Sequence, residues 1–143
     1  MRSAVTSVPN STDSSSWISG IRAAYTSPAE ITAATITITS IVDRFLEHTR
    51  VIIFDNRGDP DIYISSADWM TRNLDNRVEI SAPILDETLK RFITDVMELQ
   101  FRDTTKARVI DEENTNGYVL RGNRRKLRSQ MSTYNYIRRF ESV

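Results

Sequence analysis

The single histidine of the chain, His48, stands beside residues that suit phosphate chemistry. Arg50 follows two positions later and opens the apolar, β-branched run Val51–Phe54, which is typical of a buried strand. Residues two apart on a strand lie on the same side of it, so the imidazole and the guanidinium can face one ligand. Histidine can attack phosphorus or hold a phosphoryl group, so the pair indicates a phosphate contact. A surface histidine, or one at a helix end, is the structural alternative.

A loop of small residues follows a predicted hairpin. Val51–Phe54 and Ile62–Ile64 read as two strands joined by the turn-forming stretch 56–61, and the sequence SSADWMTRN comes next, at 65–73. Small serine and alanine residues let backbone N–H groups approach phosphate oxygens closely. The loop is therefore a second candidate contact for an anion.

Three carboxylates near this loop admit two interpretations. Asp68, Asp75 and Glu79 could hold a magnesium ion, because that ion prefers oxygen ligands. We favour a structural role, in which Asp68 or Asp75 pairs with Arg72 or Arg77. No metal ligand is therefore assigned.

Basic residues gather near the C-terminus, before and within a predicted last helix: Arg121, Arg124, Arg125, Lys126, Arg128, Arg138 and Arg139. A solvated helix face is the structural interpretation of such a run. A basic wall is also what the path of a polyanion requires. No interleaved aromatic platform or nucleic-acid motif is visible, so nucleic acid is not the expected partner.

Length and composition set limits on the class of protein. The chain has 143 residues, enough for one domain, with 39% hydrophobic and 27% charged residues and a net charge of zero. It has no cysteine, which excludes disulfides, Cys-ligated zinc and thiol catalysis. Neither an apolar run of about 20 residues nor a signal peptide is visible. We expect a cytoplasmic protein without a transmembrane segment, with a peripheral membrane location left open.

The remaining pattern predicts an α/β layered domain, with a mixed sheet flanked by helices, over residues 37–143. Residues 1–36 form a poorly ordered or atypical segment, rich in Ser and Thr, with a short strand within Trp17–Tyr25. The other predicted elements are a helix over Ile41–His48 capped by Ser40, a strand over Val78–Ile84, a helix from Asp86 with Leu89, Phe92, Ile93, Val96 and Leu99 on one face, strands at Ala107–Ile110 and Tyr118–Leu120, and a helix over Leu127–Phe140.

The pattern from His48 to Asn73 resembles half of a phospholipase D-type active site. In that superfamily a His-x-Lys at a strand start is followed, beyond a hairpin, by a Gly/Ser-Ser-Ala-Asn loop. This chain has Arg50 in place of the lysine and Asp68 in place of the asparagine. The likeness to the superfamily alone is therefore loose.

Four segments resemble the polyphosphate kinase family more closely. They are IVDRFLEH at 41–48, YISSADWMTRNLD at 63–75, TKAR at 105–108 and RGNRRK at 121–126. Their order and spacing agree with the family from about Thr39 to Phe140. Four segments in register make a chance likeness improbable.

The resemblance implies a fold, a reaction and a set of residues. The fold is the second phospholipase D-like domain of an enzyme that transfers the terminal phosphate of ATP reversibly to inorganic polyphosphate. His48 matches a histidine that holds the nucleotide triphosphate, and Arg22 is the nearest match to an arginine with the same role. Arg50, Arg72 and Arg124 are weaker candidates for the anion path. ATP/ADP and polyphosphate would be the ligands, and Mg²⁺ would be bound mainly by other parts of the enzyme.

The family's phosphorylated histidine has no counterpart, since the chain holds one histidine. We therefore expect this chain to need the remaining domains of the enzyme and to be inactive alone; homo-oligomerisation stays open. Two alternatives remain: a dimeric phospholipase D-like phosphodiesterase or nuclease with one His48 from each subunit, and a non-catalytic polyanion-binding module.

Overall fold

The computed structural model describes residues 3–6, 18–24, 35–68, 70–113 and 115–140. Its strands and helices are β1 (Ser3–Thr6), β2 (Ile18–Ala24), β3 (Thr35–Ile41), β4 (Val51–Phe54), β5 (Asp61–Ser65), α1 (Thr71–Leu74), β6 (Ser81–Ile84), α2 (Glu87–Phe101), β7 (Ala107–Val109) and α3 (Ser129–Phe140). The predicted combination of a sheet with helices is confirmed.

The strands form one seven-stranded sheet in the order β6-β5-β4-β1-β2-β3-β7. All pairings among the described strands are antiparallel, so the expectation of a mixed sheet is wrong in that respect. Short returns explain the direction of β4 and β5, because parallel neighbours need a long crossover. Their turn, Asn56–Gly58, has positive φ at all its residues, which suits Asn56 and Gly58 in particular.

The core forms where α2 covers β4 and β5. Val51, Ile53, Ile62 and Met97 are buried there, and Ile93 packs against them. Asp86 caps α2 as predicted, since its Oδ1 accepts hydrogen bonds from the backbone N–H groups of the first turn.

The apolar side of α2 is rotated relative to the prediction. Its buried positions are Met97 and Gln100, and Leu89 is half-exposed. Phe92 turns towards α3, where its ring centroid lies 4.9 Å from that of Phe140. α2 therefore packs against both the sheet and α3, so its packed residues do not form one apolar stripe.

The predicted helix over Ile41–His48 is wrong. β3 continues through Ser40 and Ile41, which are both buried and pair with β7. The following residues, 42–50, are irregular and bind α3 instead: the Phe45 backbone donates to and accepts from the side chain of Gln130. These long-range contacts replace the helical hydrogen bonds. His48 therefore does not lie at a helix C-terminus, and no helix dipole acts on it.

Other predicted boundaries shift by a few residues. β6 begins at Ser81, α3 begins at Ser129, and Tyr118 forms a single bridge to Arg108 in place of a strand. β1, β2 and the start of β3 bring parts of the segment 1–36 into the sheet, and its other residues, with Trp17 and Tyr25, lie outside the described ranges. The domain boundary after residue 36 stays a prediction.

Asp103 is fully buried between α2, β7 and the start of α3. Its Oδ1 accepts from the N–H groups of Thr105, Lys106 and Ala107 at 2.7, 2.6 and 3.2 Å, and its Oδ2 accepts from Ser129 N–H at 2.6 Å. One carboxylate therefore joins three elements, and the sequence analysis had not singled it out.

Candidate phosphate-binding site

His48, Arg50 and Asp68 come together where β4 begins and β5 ends. The Arg50 Nε donates to Asp68 Oδ1 at 2.6 Å, and His48 Nε2 lies 3.7 Å from the same oxygen. The Arg50 Nη2 also contacts His48 Nε2. The Asp68 side chain is 14% exposed and that of His48 is 47% exposed. A partly buried carboxylate thus holds an arginine beside a half-exposed histidine.

The Arg50 guanidinium and the His48 imidazole lie side by side. A guanidinium can only donate hydrogen bonds, so its N–H groups are what an approaching anion would bind. Such an anion would compete with His48 for them.

The small-residue loop is fixed to its neighbours by hydrogen bonds. Ser65 N–H donates to the Arg50 carbonyl at 2.9 Å, and Ser65 Oγ accepts from Ala67 N–H at 3.1 Å. Ser66 Oγ accepts from Ile80 N–H at 3.0 Å and donates to Glu79. The loop therefore holds Asp68 in place and leaves the carboxylate directed at the His48–Arg50 pair.

Two carboxylates here are held in the charged form. The Arg50 hydrogen bond, and then its charge, keep the pKa of Asp68 below its ordinary value against the effect of burial, and the charges of His48 and Arg72 add to this. Hydrogen bonds from Ser66 and Asn73 lower the pKa of Glu79. Neither group is suited to donate a proton near neutral pH.

The predicted structural role of Asp68 is right in kind but wrong in partner. Asp68 pairs with Arg50 and not with Arg72 or Arg77. Arg72 is exposed on α1, and its Nε donates weakly to Asn73 Oδ1 at 3.4 Å. Its charge still lowers the pKa of Asp68, so Arg72 lies near the cluster.

The other two predicted arginines lie elsewhere. Arg22 belongs to β2, in register with Val5, which pairs in turn with Ile53 of β4. Successive residues of a strand alternate between its two faces, and Arg50 lies two positions before Ile52. The cross-strand row of Arg22, which contains Ile53, is therefore not the row to which Arg50 corresponds. Arg124 lies in the loop before α3, where its guanidinium donates to the carbonyls of Leu120 and Arg121. The roles of both arginines stay predictions.

A magnesium site is not formed by the described residues. Among them no three acidic or histidine side chains gather as a metal would require. Asp68 is bound to Arg50, and Glu79 is bound to Ser66 and Asn73. We derive no chemical step through a metal here.

The cluster could be found from the sequence only in part. The spacing of His48 and Arg50 predicted their common direction correctly. Asp68 as the group that holds Arg50 and lies beside His48 was missed, although an acid in a loop of small residues, beyond a hairpin from both residues, was a usable signal.

Comparisons with known proteins agree with this fold. The structure of polyphosphate kinase from Porphyromonas gingivalis superposes with a TM-score of 0.71 and 43% identity, over 74% of this chain and 16% of that one. Polyphosphate kinases of Klebsiella pneumoniae and Escherichia coli (strain K12) are 59% and 57% identical, over 74% and 71% of this chain but only 16% and 15% of their own lengths.

The family model described as "Polyphosphate kinase C-terminal domain 2" matches residues 17–130. The chain therefore belongs to the polyphosphate kinase family, through this C-terminal domain. The match begins inside the segment 1–36, so that segment is related to the family at least from Trp17. None of the described helices is both long and apolar enough to span a membrane.

Proposed function

We propose that this domain supplies phosphate-binding residues to a polyphosphate kinase, which transfers the terminal phosphate of ATP reversibly to inorganic polyphosphate. The His48–Arg50–Asp68 cluster is the observation that carries the proposal. It offers a fixed cation and an imidazole at the surface, beside a loop of small residues. The matching relatives are named polyphosphate kinases, which supports the choice of ligand.

The division of labour within the cluster follows from its contacts. Asp68 holds Arg50 through Nε, and His48 contacts its Nη2, so phosphate oxygens would bind the remaining outer guanidinium N–H groups. His48 adds a second polar group beside them. Phosphoryl transfer depends mainly on positioning and on neutralising charge on oxygen, so a domain that provides only these contacts is chemically sufficient for its part. Arg72 adds positive charge nearby, and Arg22 and Arg124 are further candidates.

The domain has no second histidine to carry a phosphoryl group. We therefore propose that it works with the remaining domains of a longer enzyme, which would provide the nucleophile and most of the Mg²⁺ ligands. A cytoplasmic location follows as part of the same proposal. Synthesis of polyphosphate by this chain alone would contradict this assignment of roles.

Binding of ATP and of tripolyphosphate to the purified chain tests the proposal. His48→Ala and Arg50→Ala should weaken binding at two salt concentrations, and Arg22→Ala tests the weaker assignment beside them. Arg57→Gln is a matched control, because Arg57 is exposed in the turn at the opposite end of the β4–β5 hairpin. Binding that is unchanged in both site variants would refute the site; unequal effects on ATP and tripolyphosphate would show whether the nucleoside is also bound.

A further inference from the structure

A groove of about 610 Å³ lies between the end of α2, the loop before α3 and one side of α3. Among the described residues, five cationic side chains and no acidic one line it: Arg102, Arg124, Arg125, Lys126 and Arg139. We call it the basic groove. It shares no lining residue with the His48–Arg50–Asp68 cluster, so it is a separate feature of the surface.

The charges of the basic groove are largely uncompensated. Within the described residues, no carboxylate forms an ion pair with Arg102, Arg125, Lys126 or Arg139. Arg128, which the sequence placed with the basic run, is different. It forms a two-point pair with Asp43, at 2.6 and 2.7 Å, and does not line the groove. In the folded chain Arg128 therefore has a structural role, whereas the cations that line the groove are exposed.

The wall of the basic groove is held in place from behind. Thr104 Oγ1 accepts from Leu127 N–H at 2.9 Å, and Thr104 N–H donates to the Leu127 carbonyl at 3.0 Å. Arg124 closes the turn before it through the carbonyls of Leu120 and Arg121. Asp103 fixes the first residue of α3, Ser129. Exposed cations on a braced loop keep a constant spacing without help from a ligand.

The chemistry of the lining favours a flexible inorganic polyanion over a nucleic acid. Among the described residues, Tyr136 is the one aromatic residue that lines the groove, and its ring packs against Phe92 and Phe140. Its hydroxyl donates to Asp95 at 2.7 Å. No ring is therefore presented on which a base could stack. Repeated phosphate charges, without bases, match a row of unpaired cations.

We propose that the basic groove binds a stretch of linear inorganic polyphosphate, as a second site beyond the His48–Arg50–Asp68 cluster. The proposal rests on the proposed function for its choice of polyanion. A short ligand such as ATP or tripolyphosphate would be held by the His48 cluster alone. A long chain would engage the groove as well and gain affinity from the second contact.

Two non-overlapping pairs of substitutions test this in the full chain: Arg125→Gln with Lys126→Gln on the loop, and Arg102→Gln, just after α2, with Arg139→Gln on α3. These side chains are exposed, so both variants should fold, which circular dichroism would verify. Each pair should weaken long-chain polyphosphate binding about tenfold at low salt and reduce its salt dependence, because fewer counterions are released. Affinity for tripolyphosphate should stay unchanged, as should both affinities in the Arg57→Gln control.

The outcomes separate the two proposals. If both double variants bind long-chain polyphosphate as tightly as the unchanged chain, the groove is not a polyphosphate site, whatever the effect of His48→Ala. An equal loss of tripolyphosphate binding would overturn the claim of a separate site. Single-stranded DNA that competes as well as polyphosphate of the same charge would overturn the assignment of the ligand. Loss of tripolyphosphate binding in His48→Ala alone, with long-chain binding retained, would keep both proposals.

Discussion

The His48 cluster and the basic groove are both cationic, but they use their carboxylates differently. Asp68 bonds Arg50 directly and neutralises part of its charge, and His48 Nε2 lies 3.7 Å from the same carboxylate oxygen. Asp103 lies behind the groove and accepts from backbone N–H groups between α2 and β7 and at the start of α3, so within the described residues the groove's cations stay uncompensated. The first arrangement fixes the orientation of one guanidinium. The second fixes a surface and leaves its charge free, so we expect selectivity from the cluster and salt-sensitive avidity from the groove.

The largest effect should follow from Asp103→Asn. An amide replaces one oxygen of a fully buried group, so at least one backbone N–H loses its acceptor. We expect the free energy of unfolding to fall by about 2–3 kcal/mol, measured by urea denaturation. Asp111→Asn is a matched control, because Asp111 also accepts from a backbone N–H, that of Thr115, but is not buried. Equal losses in the two variants would show that Asp103 is no anchor.

The next largest effect should be a loss of phosphate affinity in Arg50→Ala. Arg50 donates to both Asp68 and His48, and a lost hydrogen bond to a charged group costs enough to lower phosphate affinity roughly tenfold. The Arg50→Lys variant keeps the charge but loses the two-pronged geometry, so it should bind with intermediate affinity. Calorimetric titration with tripolyphosphate measures both. A lysine variant as weak as the alanine variant would mean that charge contributes little and geometry decides.

Asp68→Asn should leave the His48 cluster with an uncompensated cation, like those of the basic groove. The substitution removes the charge that compensates Arg50 and weakens its orientation. We expect a loss of tripolyphosphate affinity smaller than that of Arg50→Ala, together with a steeper dependence on salt, since one more counterion is released on binding. Titrations at several salt concentrations measure the slope. An unchanged slope would show that Asp68 does not compensate the site.

The smallest expected effect is on how the free energy of unfolding depends on pH. Burial raises the pKa of Asp103, but hydrogen bonds from the backbone N–H groups of Lys106, Ser129 and Thr105 outweigh it, so the pKa lies below its ordinary value of 3.8. The unfolded state therefore binds the proton more tightly, and the stabilisation is present above that ordinary value and lost as pH falls through the folded-state pKa. As the pH is lowered from 5 to below 3.8, the free energy of unfolding should therefore fall less in the Asp103→Asn variant than in the unchanged chain.

The sequence predicted the parts of the fold that depend on local pattern. The β4–β5 hairpin and α2, with its Asp86 cap, were found because their signals lie within a few residues of one another. The stretch from Ile41 was misjudged, because its apolar spacing fits a helix while its actual partner, β7, is remote in sequence. Local periodicity holds no information about such a partner.

The two sites show the same limit. The spacing of His48 and Arg50 was readable, but Asp68 joins them only after the hairpin folds back. The basic groove adds Arg102, which follows the end of α2, to cations of the C-terminal run, and the run itself could not indicate this remote residue. Side chains that meet through packing of separate elements are therefore the part that pattern reasoning could not supply.

The most direct test of the His48 site is the NMR signal of that histidine during titration with tripolyphosphate. The chain has one histidine, so its imidazole gives a single assignable resonance. We predict a saturable shift of this resonance that persists in Arg57→Gln and is strongly weakened in Arg50→Ala. An imidazole signal that stays fixed while the ligand binds would contradict the site and place phosphate binding elsewhere on the domain.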